Sequence, residues 1–362
     1  PSSPAMEIAN GVTATDAAGT FKVTFEALPD LAISRESKPA FCFTVYADIT
    51  DINGETQSSQ KGVYIGYTAL MLSLNLPDKL DKDQKEIKAT FNTTNLSGEF
   101  VKAEGNISIY KLKEPDRVYR DRLWQKPDKF ILEKNAFYKD FPYDVYGDET
   151  NVAKWEKGKK VFYTAYDTGE LKECKLTGLE QWETGKYVAE MLSTDKFGNE
   201  IKEIKYFTLF SSGGSRVPYA MPAWFSMPKN TAEPGETAVV LIGTSEKDVR
   251  VVYEIEHRGK IVSTQYLTLN NQQKRIAIPI QEEHRGNVGV HFTFVKHNRL
   301  MTFNENIQVP WSNKKLELSF ETFRDKLMPG EKEQWRIKIK GAKGEQAAAE
   351  MVAALYDASL DA

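Results

Sequence analysis

Apolar and polar positions alternate with period two along most of this chain. The clearest runs are Phe21–Ala27, Cys42–Ile49, Gly105–Tyr110, Lys160–Tyr166, Val249–Glu256, Val288–Val295 and Trp335–Lys340, each rich in β-branched and aromatic residues. Successive side chains of a strand point to opposite faces, so this pattern predicts half-buried strands of antiparallel sheets. Periodicity of 3.6 residues is nearly absent. Only Gln346–Leu355, with its alanines, invites a helix, and because it leads into Tyr356-Asp357 a strand is expected there.

Between the strands one kind of turn recurs: Asp16 to Gly19, Asp51 to Gly54, Asn95 to Gly98 and Asp195 to Gly198. Asp and Asn hydrogen-bond their own backbone and Gly accepts positive φ, which is the chemistry of tight hairpin connections rather than of ligand loops. A longer repeat lies above it. Pro234-Gly235-Glu236 and Pro329-Gly330-Glu331 each precede an alternating run, and their spacing of about 95 residues is the length of one β-sandwich. The expected fold is therefore all-β, a tandem array of antiparallel sandwiches of the immunoglobulin or fibronectin-type-III kind.

At 362 residues the chain exceeds what one hydrophobic core organises. Four modules are expected: 1–69, short at its amino end; 70–210, with an insertion at about 115–158; 211–310, entered through the serine-glycine run Ser211–Ser215; and 311–362, the opening part of a further sandwich, which by itself buries too little to stand alone.

Charge excludes one class of partner. The 48 Lys+Arg and 51 Asp+Glu are nearly balanced and interspersed, so there is no electrostatic footprint for nucleic acid. No run approaches the length of a membrane span, and Pro1–Met6 lacks the regions of a signal peptide. Of the two cysteines, Cys42 lies within a strand and reads as a buried thiol, and it falls in a different module from Cys174; a disulfide between them requires Cα atoms within about 7 Å.

Candidate chemistry is sparse. Asp51-x-Asn53-Gly54 echoes a calcium loop but lacks the full ligand series and the distant bidentate Glu. His291 and His297 stand about 20 Å apart along an extended strand, too far to share a metal. No Gly-x-Ser-x-Gly elbow and no phosphate-cradling glycine loop occurs. The segment from Trp124 to Trp155 gathers aromatics and acids, and Trp124, Tyr138, Tyr143, Tyr146 and Trp155 are the candidate binding surface, suited to stacking on sugars or gripping a peptide. The competing expectation is that these rings pin the insertion to its own sandwich, because aromatics bury the most area per residue. Paired acids there, such as Asp144 with Asp148 or Glu149, make a glycosidase only if held at a defined separation in a cleft. No catalytic residue, metal or cofactor is expected.

The end of the chain adds a resemblance. Pro329-Gly330-Glu331 through Trp335 to Gly341, followed by Ala349–Leu355 and Tyr356-Asp357-Ala358-Ser359-Leu360-Asp361, resembles the alpha-2-macroglobulin family, in which such a strand and turn shortly precede the protease bait segment. Thr50–Thr56 with Gly62–Gly66, and Gly185–Tyr187 with Thr194–Asn199, look like the closing hairpins of modules in large bacterial members, most like those of Bacteroidetes. The resemblance implies consecutive macroglobulin-like sandwiches forming a non-catalytic frame, with the bait beyond Ala362. It implies a cell-envelope protein, in the periplasm or anchored at the outer membrane, whose whole length inhibits or traps proteases when a cut bait lets the frame collapse. Its partners would be proteases and the neighbouring modules. The Cys–Gln thioester of many members is not supplied here, since Gly344-Glu345-Gln346 follows Lys343 where the cysteine should stand. The alternative expectation is an adhesin or glycan- or protein-binding surface module.

Overall fold

The computed structural model describes residues 6–322, 328, 330–341 and 351–352. Pro329, the Gly344-Glu345-Gln346 stretch, the strand expected at 346–355 and the closing Tyr356–Asp361 motif lie outside them. The chain divides into two compact units, Pro1–Gly214 with Pro218–Ala220, and Ser215–Val217 with Met221–Ala362.

The first unit opens on a hairpin of β1 (Ala40–Thr50) and β2 (Thr56–Gly66). Phe41, Phe43 and Val45 take its half-buried face, which puts Cys42 on the exposed one. The buried thiol expected there is thus corrected: the run Phe41-Cys42-Phe43 is apolar throughout, and its phase is set by the Phe25 ring, whose centroid lies 5.7 Å from that of Phe43. Phe21–Ala27, expected as a strand, forms none, although Phe25 and Ala27 keep the alternation; no neighbouring ladder takes up its backbone groups.

A sandwich follows, built from β3 (Met71–Asn75), β4 (Lys79–Asp81), β5 (Ile87–Thr94), β6 (Glu104–Leu112), β7 (Lys157–Asp167), β8 (Glu173–Leu176), β9 (Gly185–Thr194) and β10 (Glu200–Phe210). Its sheets run β3-β5-β8 and β4-β10-β9-β6-β7. Pairing is antiparallel except that β4 lies parallel to β10. Leu72, Leu74, Ala89, Phe91 and Leu176 of the smaller sheet bury against Ile107, Ile109, Tyr187, Met191, Phe207 and Leu209 of the larger. Strand β5, Ile-Lys-Ala-Thr-Phe-Asn-Thr-Thr, shows why: every second residue is buried, the signature of a sheet with one wet face. Ser211 Oγ and the Gly213 amide donate to Asp83, and the Ser212 amide donates to Asp81, so the serine-glycine run is tied to the turn after β4.

The second unit holds a seven-stranded sandwich of β11 (Trp224–Lys229), β12 (Thr237–Thr244), β13 (Val249–His257), β14 (Lys260–Leu269), β15 (Gln272–Pro279), β16 (Gly286–Lys296) and β17 (Arg299–Val309), in sheets β11-β12-β15 and β14-β13-β16-β17. Val240, Ile242 and Ile278 face Val251, Tyr253, Val290, Phe292 and Ile307 across one core. Beyond it β18 (Glu317–Thr322) pairs with β19 (Arg336–Lys340).

All four recurrent turns have one geometry. The side-chain oxygen of Asp16, Asp51, Asn95 and Asp195 accepts from the amides two and four residues on, while the glycine takes φ between 74° and 85°. The two Pro-Gly-Glu copies also match. Glu236 donates its amide to the Glu233 carbonyl and accepts the Glu233 amide on its carboxylate; Glu331 does both with Met328, and Gly235 and Gly330 have φ of 92° and 86°.

Candidate functional site

The insertion occupies the connection between β6 and β7. Its two stems are clamped by the Lys113 amide on the Glu156 carbonyl and by a Lys113–Glu156 ion pair of 2.9 Å. Glu114 roots it in the sandwich by accepting from the Lys186 amide at 2.6 Å and by pairing with Lys111. Inside, Arg120 and Asp144 form a two-pronged ion pair, Nε to Oδ1 at 2.6 Å and Nη2 to Oδ2 at 2.7 Å, and the Arg120 amide donates to the Tyr143 carbonyl. Asp144 is buried, as are Val118 and Val145, and a buried carboxylate is tolerated only when paired. Arg122 closes the same loop on the carbonyls of Val145 and Tyr146.

One element here was not legible from periodicity: the helix α1, Lys134–Asp140, two turns long and with no buried residue. It presents Phe137, Tyr138 and, just past its end, Phe141 to one another, with Phe137 5.3 Å from the Tyr146 ring.

Among the five candidate aromatics, Tyr138, Tyr146 and Trp155 make contacts within this assembly. Tyr138 donates from its hydroxyl to Glu149 at 2.7 Å, accepts from Tyr119 and lies beneath the Arg117 guanidinium. Tyr146 stacks on Phe130 at 4.2 Å and donates to the Leu132 carbonyl. Trp155 donates its indole N–H to the Glu149 carbonyl and meets Tyr219 edge-on. Tyr143 is partly exposed. Trp124 stands 60% exposed, next to an equally open Leu123, and does not join the others. The five rings therefore form no single stacking platform: Tyr138 and Tyr146, 6.3 Å apart, are brought together, and Trp124 is set off from them.

Glu149 is the electrostatic centre of the group. Burial pushes its carboxyl up, but Tyr138, Lys134 and the Gly147 amide all donate to it, and the balance leaves it at about 2. Burial and the adjacent Glu149 charge drive the Tyr138 phenol upward. An ionised carboxylate locked among donors is a strut, not a proton donor of the raised-pKa kind that glycoside hydrolysis requires.

Elsewhere, groups singled out in the sequence are consumed locally. The Asp51 carboxylate is held low chiefly by the Glu55 amide and then by Asn53. His291 lies between Glu256, at 2.9 Å, and Asn304, at 2.8 Å, while His297 pairs with Glu246 at 3.1 Å. Both cysteines are free thiols, and burial followed by the neighbouring Glu173 pushes Cys174 up to about 11. Among the described residues no group of three His, Cys, Asp or Glu side chains is arranged to hold a metal ion, and no helix is long and apolar enough to cross a membrane. An open cleft of about 340 Å³ lies on the outer side of β3-β5-β8, lined by Ser73, Asn75, Thr90, Asn92, Lys172 and Glu173; none of the candidate aromatics reaches it.

Comparison with known proteins points to the other unit. Residues 224–361 match the model of the alpha-2-macroglobulin bait region domain. No curated protein sequence matches the chain. Among solved structures, Salmonella alpha-2-macroglobulin reacted with methylamine is similar at 13% identity over 82% of this chain and 18% of its own, TM-score 0.26. Trypsin-activated alpha-2-macroglobulin from Escherichia coli follows at 11% over 84% and 24%, TM-score 0.24. A tetra-tandem repeat from the extending region of a large adhesion protein gives 15% over 78% and 60%, TM-score 0.22. The chain spans less than two thirds of each, and at these TM-scores none of the three carries an argument. The match runs from Trp224 over the second sandwich and the β18–β19 hairpin. The likeness to the alpha-2-macroglobulin family is thus carried by residues 224–361, which match the model of its bait region domain.

Proposed function

We propose that this chain is a non-catalytic frame within a bacterial alpha-2-macroglobulin-like protein of the cell envelope, whose whole length inhibits or traps proteases. The observation that carries this reading is the match of residues 224–361 to the bait region domain. In such a protein the bait is the segment offered for cleavage, and the sandwiches around it hold the trapping parts in register until it is cut. The physical character of the chain fits: dry sandwich cores, Asx-type turns with their polar groups satisfied internally, and carboxylates fixed in ion pairs. Rigid modules of this kind move as bodies about their junctions. The four modules at 1–69, 70–210, 211–310 and 311–362 are part of the proposal, as is the absence of catalysis.

Residues 1–362 themselves supply no thioester for covalent capture. Neither Cys42 nor Cys174 stands in a Cys-Gly-Glu-Gln sequence, and the raised thiol of Cys174 makes a poor nucleophile.

The test uses the full-length protein. After incubation with a protease, cleavage within the bait region domain, followed by loss of activity on large protein substrates with activity on a small peptide substrate retained, is expected. A protease that cuts the protein and remains fully active on large substrates overturns trapping. A second reading, a glycan- or protein-binding surface module, is favoured by one observation, the exposed Leu123-Trp124 pair; it requires ligand binding that Trp124→Ala abolishes.

A further inference from the structure

Where the second sandwich ends, the chain is held by one buried guanidinium. Arg285, the residue before β16, is 9% exposed. It donates to both oxygens of Glu282, to Glu233 at 3.3 Å, to Ser312 Oγ at 3.1 Å and to the Pro310 carbonyl. Ser312 Oγ in turn donates to Glu233, and Asn313 donates to Glu282. Three pieces of chain meet there: the residue ahead of the Pro234-Gly235-Glu236 turn, the turn Gln281–Arg285, and the exit segment Pro310–Asn313 leading to β18. A buried guanidinium remains in place only while its acceptors do, because an unpaired buried charge is strongly unfavourable.

The position of Glu282 depends on the turn that carries it, and that turn is closed by a histidine. The short helical turn Glu282–His284 has a reciprocal cap: the Gln281 side chain accepts the His284 amide, and His284 Nδ1 accepts the Gln281 amide at 3.1 Å. An imidazole nitrogen accepts only when it carries no proton, so this cap exists only with His284 neutral. The ring lies 5.6 Å from that of His257 at the end of β13, edge to face. His257 Nδ1 faces the Asn287 carbonyl and so bears its proton there, while its Nε2 is buried without a hydrogen-bond partner. The titratable groups that act on His284 are His257 from β13 and Glu283 from its own turn. Arg285, next in sequence, is directed to Glu282 and Glu233. Burial first, and then His257, hold the His284 imidazole below its ordinary value, with Glu283 opposing.

We propose that the turn Gln281–Arg285 is an acid-sensitive clasp: with His284 neutral it keeps Glu282 and Arg285 on the exit segment Pro310–Asn313, and proton uptake by His284 releases that segment. The chemistry is local. A proton on Nδ1 turns an acceptor into a donor facing the Gln281 N–H, and it sets a positive charge beside His257. The cap opens, Glu282 moves with it, and the guanidinium loses its two-oxygen partner. The sign follows from the depressed imidazole. The clasp is fully closed above the unfolded histidine value of about 6.5 and is lost as pH falls below it. The apolar core cluster of β11 to β17 holds no histidine and stays folded, so acid changes the freedom of the β18–β19 part without unfolding β11 to β17.

Hydrogen–deuterium exchange of the whole 362-residue chain, read as protection factors between about pH 7.5 and about pH 4.5, decides it. The amides of Lys314 and Lys315, which donate to Trp311 and Ser312, are expected to lose protection about tenfold or more, while β16 and β17 hold theirs. The midpoint belongs below the ordinary histidine value of about 6.5. His284→Asn keeps an oxygen that accepts from Gln281 but does not titrate, and its protection should stay level through that window. Arg285→Met should show the loss already at neutral pH. Level protection in the unaltered chain overturns the proposal, as does a midpoint near 4 that assigns the change to carboxylates, or the same fall in His284→Asn. Should His284→Asn not fold, the imidazole titration of His284 followed by NMR in the unaltered chain replaces it: a midpoint that does not coincide with the loss of protection overturns the clasp.

Discussion

The first sandwich and the insertion it carries lie in one unit yet are held by opposite means. The sandwich keeps Phe207, Tyr187, Met191 and Leu209 wholly dry between two sheets, so its cohesion comes from apolar area removed from water. The insertion buries little beyond Val118 and Val145 and is held by the Arg120–Asp144 pair, by Arg122 on backbone carbonyls, and by the Tyr138 phenol and Lys134 gathered on Glu149. Apolar contact is tolerant of detail and additive over area. A polar framework stands or falls with single partners, because removing one leaves the other buried and unsatisfied.

Core truncation breaks the comparison most forcefully. Phe207 is fully buried and stacks on Tyr187 at 5.4 Å. Phe207→Ala is expected to cost about 3–5 kcal/mol, seen as a fall of roughly 10 °C in the unfolding temperature of this unit. The insertion should be lost with it, since its stems grow from β6 and β7. A loss under about 1 kcal/mol would mean the two sheets do not share one close-packed core.

Removing Arg120 tests the other half. Arg120→Met leaves Asp144, whose side chain is 7% exposed, without its two-pronged partner, and breaking such a pair costs about 3–5 kcal/mol. The pair lies inside the insertion, away from its stems, so the cost should surface as lost exchange protection across 113–156 with β9 and β10 unchanged. Loss of protection in β9 and β10 as well would show that the insertion is part of the core's cooperativity.

These regions also differ in how far the sequence disclosed them. The named sandwich strands were legible because a buried face recurs every second residue, as in β13 from Val249 to Tyr253. The turns were legible because Asx and Gly have specific backbone chemistry. Phase was not: Phe41-Cys42-Phe43 is apolar on both faces, and the contact with Phe25 chose which side was covered. Nor was pairing, since Phe21–Ala27 alternates without a partner strand. In the insertion, the aromatic cluster was visible, but Arg120 and Asp144 find each other across 24 positions with no periodic signal, and α1 is too short to show one. Which ring is buried is decided by such partners: Tyr138 is fixed by Glu149, Tyr119 and Arg117, whereas Trp124, the bulkiest of the set with Trp155, is left outside. The match to the bait region domain model was foreshadowed by the family-like close of the chain. Its extent back to Trp224 was not, because the strands of that sandwich carry only the generic alternation.

Acid gives a finer probe of the polar framework. Glu149 at about 2 lies below its ordinary value of 4.5. Its contribution is therefore complete above about 4.5 and drains away as pH falls toward 2. Exchange protection of 134–149 should decline through that window while β9 and β10 stay protected. Tyr138→Phe removes the phenol donor, so the decline should be smaller and level off at higher pH; an unchanged profile would show that Lys134 and the Gly147 amide hold the carboxylate alone.

The smallest expected effect is the most informative about binding. Trp124 has a large apolar surface in water and, unlike Tyr138, Tyr146 and Trp155, no structural role in the insertion, so Trp124→Ala should change stability by less than about 0.5 kcal/mol. Trp155→Ala, which removes the indole bond to Glu149 and the edge contact with Tyr219, should instead lower the unfolding temperature by several degrees. That contrast separates two kinds of aromatic in one segment. If both substitutions destabilise alike, Trp124 is packed in solution and the segment is wholly structural. If Trp124→Ala is silent in stability but removes binding to a glycan or protein surface, the insertion carries a recognition site on a frame whose other rings exist to hold that one in place.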